Sequence, residues 1–131
     1  MRRSKAVVAG VALACAAAAG AWGAVAPATV ETNGVAISLT TAPSPPARQE
    51  ATTFEITVRD AAGNPVTGAR VSLEFSMHHG MPENRPRVVE RGGGRYVAAS
   101  ALGMGGEWLA AVEVVLTDGR RARAEFPLRV R

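Results

Sequence analysis

Cysteine is nearly absent from this chain. Of 131 residues only Cys15 carries a thiol, and it lies inside an apolar N-terminal run, so the rest of the chain has no disulfide framework. Histidine is almost as scarce, with His78 and His79 the only two. Ser72, Ser76 and Ser100 therefore lack a base and an orienting acid at any suitable spacing for nucleophilic catalysis. A phosphate loop is missing too, because Gly92-Gly93-Gly94 leads from one short strand pattern into another rather than into a helix. The excess of positive charge is local. Of 15 basic residues, Arg2, Arg3 and Lys5 precede the apolar run, leaving 12 against 11 acidic residues, a balance that argues against a nucleic-acid partner. Arg120, Arg121 and Arg123 read as solvated charge protecting a strand edge. These absences leave no enzyme to be expected.

What is present first is a targeting segment. Arg2, Arg3 and Lys5 form a charged start, and Ala6 to Ala26 is an unbroken run rich in alanine and valine, the layout of a secretory signal. Export to the periplasm or another extracytoplasmic space follows. Cleavage patterns occur at Ala24-Val25-Ala26 and Ala26-Pro27-Ala28, yet a run of roughly 20 apolar residues is also long enough to span a bilayer. Removal, or retention of residues 6–26 as an inner-membrane anchor, both stay open. Ala12-Leu13-Ala14 before Cys15 sets the leucine one place out of register for a lipoprotein signal. Residues 1–28 are thus assigned to the signal or anchor and residues 29–131 to one domain.

Beyond the run, apolar residues recur at every second position and are interrupted by Gly, Pro, Asn and Asp, with no helical period. Seven strands are predicted: Val35 to Thr41, Thr53 to Arg59, Arg70 to Met77, Arg87 to Arg91, Arg95 to Leu102, Glu107 to Thr117 and Arg121 to Val130. Their spacing predicts an all-β fold, a single antiparallel sandwich. The inward stripes are Phe54, Ile56 and Val58; Val71, Leu73 and Phe75; Trp108, Ala110, Val112, Val114 and Leu116; and Ala122, Ala124, Phe126, Leu128 and Val130. Asp60 to Ala69 and Asp118-Gly119 carry turn chemistry, while Pro43, Pro45 and Pro46 mark a connection unable to pair in a central strand.

Alternating strand direction places three connections at one end: Ala42 to Thr52, Met77 to Pro86, and Gly103 to Gly106. The same parity sends a retained anchor in from the opposite end. The loop end gathers the only chemistry that stands out. Met77, His78, His79 and Met81 lie within five residues, and Met104 is expected beside them. Thioethers and imidazoles are ligands of copper, whereas calcium or magnesium would need carboxylates and carbonyls. An extended backbone puts Met77, His79 and Met81 on one face and His78 on the other, so joint ligation by both histidines requires a turn at Gly80 and Pro82. The same residues admit a plainer role: Met77 continues the stripe of Val71, Leu73 and Phe75 as core filler, and the histidines are solvated.

Phe54 to Val58, Asp60, Gly63-Asn64-Pro65-Val66, Gly68-Ala69, the Met77-to-Met81 segment, Gly94-Arg95-Tyr96 and Met104-Gly105-Gly106-Glu107-Trp108 together resemble the YtkA-like and FixH-like group of small exported or membrane-anchored bacterial domains. The resemblance covers roughly Ala51 to Val115. It implies a seven-stranded immunoglobulin-like β-sandwich and, for FixH-like members, a tie to copper supply for respiratory oxidases or to cation transport. A partner is expected, either another envelope protein or a copper acceptor. Family loops carry methionines where this chain has Met77, Met81 and Met104; the His78-His79 pair stands where a proline-flanked methionine pair is usual.

Overall fold

The computed structural model describes residues 28–77 and 84–131. The sheet-forming segments are β1 (Ala28–Thr32), β2 (Val35–Ala42), β3 (Thr52–Asp60), β4 (Arg70–Ser76), β5 (Val88–Gly92), β6 (Arg95–Ser100), β7 (Gly106–Val115) and β8 (Arg121–Val130). One sheet has the order β1-β2-β3-β6-β5 and the other the order β4-β7-β8, with every strand pair antiparallel.

The period-two stripes explain the two layers. Phe54, Ile56 and Val58 of β3 face Leu73 and Phe75 of β4 and Ala110, Val112 and Val114 of β7 across a shared, buried interior. Phe54 and Phe75 meet across the sheets with ring centroids 4.7 Å apart, tilted by 50°, within the range of favourable aromatic pairs. Ala98, Ala110, Ala122 and Ala124 are buried opposite these larger residues, so the core alternates small and large. Val71 and Leu128 are only half-buried and pack at its margin. Leu102 and Leu116 lie just outside strands and are buried.

Eight strands replace the seven expected. The additional one is β1, which pairs Ala28 with Leu39 and Thr32 with Val35 through a two-residue hairpin. Asn33 and Gly34 both have positive φ, 48° and 84°, the conformation that such a tight turn requires. Alternation had no power to reveal β1, because its residues are mostly exposed and only Val30 packs against the core.

β1 also reverses the direction in which the chain enters the sandwich. It runs antiparallel to β2, so Ala28, the first described residue, lies toward the side on which β2 ends at Ala42. The expected signal or anchor, residues 1–28, lies outside the described residues except for Ala28, and the domain begins at the loop end rather than the opposite end because β1 precedes the first predicted strand.

Candidate functional site

The loop end forms as strand parity requires. The connection after β2 is tied by its main chain to the last strand, with Arg131 N–H donating to Pro46 O (2.8 Å) and Arg48 N–H to Arg131 O (2.9 Å). Gln49 N–H donates to Leu102 O at 2.6 Å, joining it to the connection after β6. These are backbone bonds, which leave no side-chain signature in a sequence. After β4, Asn84 pairs back onto Phe75 by two backbone bonds of 2.8 and 3.2 Å. The chain then crosses to the other sheet as β5, with Pro86, which has no N–H to donate, at the crossing.

Met77 and Met104 are both at this end. A Cβ placed on Gly106 would lie 3.3 Å from the Met77 methyl, so the glycine makes room for the thioether chain. Gly106 also adopts φ +125°. Met77 is half-buried and packs against the core, the plainer of its two expected roles. Met104 is different, with 60% of its surface exposed. Its carbonyl accepts a hydrogen bond from Trp108 Nε1 at 2.9 Å, which sets the Met104 loop against a buried indole. His78, His79 and Met81 lie outside the described residues. Among the described residues no group of three or more His, Cys, Asp or Glu side chains could hold a metal ion.

Two ion pairs lie at the surface of this end among the described residues. Arg85 bridges to Glu74 at 2.6 Å and Arg129 to Glu107. Glu107 thus serves β7 and β8 across their ladder.

The other end is made of tight turns, and it absorbs most of the remaining motif residues. Asp60 Oδ1 accepts from Ala62 N–H and Asn64 N–H, both at 2.9 Å, closing the turn after β3. Tyr96 O–H donates to Val66 O (2.9 Å) and accepts from Ala69 N–H (3.3 Å), pinning the β3–β4 connection to β6. Burial raises the Tyr96 phenol above its ordinary range, opposed by the Ala69 bond. Gly94, two residues earlier, passes so close to Val58 O and Pro65 that a Cβ would stand 2.7 and 2.9 Å from them. The Gly94-x-Tyr96 spacing is thus a structural lock. Arg120 completes the end: its Nη1 donates to Asn33 O (3.2 Å), while Asn33 Nδ2 donates to Arg121 O (2.6 Å). The expected solvated character of the arginine cluster holds for Arg121 and Arg123, exposed and paired with Glu113 and Glu125 on edge strand β8 or beside it.

Comparison with known proteins agrees with this architecture. The chain is similar to the Escherichia coli adhesin FdeC, with 29% identity over 77% of this chain and a TM-score of 0.54, and it spans 33% of that structure. A filamin domain of Lin-41 aligns at 16% identity over 66% of this chain and 81% of that one, with a TM-score of 0.47. No curated protein matches the chain. A family model described as YtkA-like matches residues 29–113, from the second residue of β1 to most of β7. With its two antiparallel sheets, its likeness to a bacterial adhesin and this match over more than half its length, the chain belongs to the YtkA-like family.

Proposed function

We propose that this protein is an exported, non-enzymatic accessory module of the cell envelope that works through its loop end, where it binds copper and passes it to, or withholds it from, a protein partner. The observation that carries this reading is that Met104 and Met77, on separate connections, lie at one end of the sandwich. The chain leaves β4 at Met77 and is back against Phe75 at Asn84, so the segment holding His78, His79 and Met81 starts and finishes there. Thioether and imidazole donors suit Cu(I). Met104, exposed and without a core role for its side chain, is the described donor best placed to join them.

Copper titration of the purified protein tests this. Stoichiometric binding is expected, and it should weaken strongly when His78→Ala, His79→Ala and Met81→Ala are combined. No stoichiometric uptake of Cu(I) or Cu(II), or an affinity that the triple variant leaves unchanged, would refute it.

A metal-free interaction module is the second reading. Met77 favours it, since its thioether chain is already engaged as packing against Gly106, and likeness to a domain of an adhesin points the same way. Under that reading the loop end contacts another envelope protein directly.

A further inference from the structure

We propose that the free edge of β5 is a docking strand for a protein partner, which adds an extended segment carrying an acidic, an apolar and an acidic residue at alternate positions. Sheets grow at unpaired edges, and this edge is the one left open among the described residues. β1 lies against β8, the outer edge of β8 is interrupted by Pro127, and the edge of β4 is taken at Phe75 by Asn84. β5 has β6 on one side and no strand on the other.

The register fixes which groups that edge offers. Val58 N–H donates to Gly94 O at 2.9 Å, so Tyr96 and Ala98 are the residues of β6 bonded to β3, and Arg95 and Val97 turn their main chains toward β5. Val97 lies opposite Val89. The N–H and C=O groups of Val88 and Glu90 therefore point to the open side, where an incoming strand would bond them. No turn or loop bond among the described residues occupies them.

The side chains supply the specificity. Val89, 42% exposed, is one of only two large apolar residues exposed in the described structure, and with half-buried Val97 beside it makes an apolar row on the outer face. Arg87 and Arg91 are exposed two residues to either side, and neither has an ion pair among the described residues. Glu90 is occupied, its carboxylate accepting from Gly68 N–H at 3.0 Å. Charge also decides against a second copy as the occupant, since two β5 strands paired antiparallel about Val89 would set Arg87 of each opposite Arg91 of the other. An acidic residue in each of those places is attracted instead.

The test titrates the full chain with a fluorophore-labelled peptide, Thr-Glu-Thr-Val-Thr-Glu-Thr, and with the same peptide carrying Lys for Glu, read by fluorescence anisotropy. The acidic peptide is expected to bind saturably and about tenfold tighter than the lysine peptide, and Arg87→Glu combined with Arg91→Glu should reverse that order. Amide hydrogen exchange at Val88 and Glu90 should slow several-fold on binding, while that at Val89, already turned to Val97, should not change. The comparison of the two peptides and the exchange measurement need no variant. No saturable binding of the acidic peptide, equal affinity for both peptides, or an order that the charge reversal leaves unchanged would overturn the proposal. Binding without slowed exchange at Val88 and Glu90 would do the same, as would a dimer in sedimentation equilibrium that Val89→Glu dissolves. β5 carries none of the proposed copper donors, so the outcome is independent of metal binding.

Discussion

The two ends of the sandwich are built on different principles. At the turn end, side chains reach across and hold backbone: Asp60 caps its own turn, Tyr96 grips Val66 and Ala69, Glu90 accepts from Gly68 N–H, and Arg120 clasps Asn33. At the loop end the connections are held largely by backbone bonds through Pro46, Arg48, Gln49 and Asn84. Side chains there, Met104 above all, are left free to face outward. An end locked by its own side chains has few of them left for a ligand or partner, whereas main-chain ties secure a loop without using them up.

Trp108 is the exception that tests this division most severely. It is 5% exposed and closes the core beneath Met104. Trp108→Ala should destabilise the fold by about 3–5 kcal/mol, the cost typical of deleting a buried aromatic, measured by urea unfolding. A loss below about 1 kcal/mol would mean that the loop end is not sealed by its indole.

Two glycines sharpen the contrast. Gly94 has φ +79° and backbone 2.7 Å from where a Cβ would stand, whereas Gly103 has nothing within 4 Å and is not in the positive-φ region. Gly94→Ala should therefore cost about 2 kcal/mol or more, and Gly103→Ala should stay within about 0.5 kcal/mol, both read from unfolding midpoints. Equal costs would erase the distinction between a locked end and a tolerant one.

The smallest effect concerns pH. Asp118 accepts from Arg120 N–H (3.0 Å) and from Arg120 Nε (2.9 Å), and these bonds hold its carboxyl below the ordinary aspartate range. A depressed folded pKa stabilises above the unfolded value, and that stability is lost as pH falls through the folded one. The advantage of the natural protein over Asp118→Asn should thus shrink on acidification below about pH 4, in urea midpoints collected from pH 6 down to pH 2. An advantage that does not change with pH would show that the Asp118–Arg120 contact contributes no titrating stability.

Much of the fold is legible in the sequence because a strand with one buried face must alternate. Phe54, Ile56 and Val58, or Ala122, Ala124 and Phe126, announce their inward side at period two, and each is buried. β1 escaped because a largely exposed edge strand has no apolar period to display. The site is legible as composition only. Alternation counted Met77 as both a ligand and a core residue, and only the approach of its methyl to Gly106 separates the two roles. The Gly94-x-Tyr96 spacing likewise gains its meaning from Val58, Pro65, Val66 and Ala69, residues 27 to 36 positions away along the chain.

The sequence by itself determined the sandwich, its inward stripes and the gathering of three connections at one end, because pleat and parity follow from local periodicity. Only the tertiary structure decided that an eighth strand exists, that it sets Ala28 toward the methionine end, and that Met77 packs while Met104 is exposed. Those outcomes depend on hydrogen bonds and close approaches between segments distant in sequence, which no local pattern encodes.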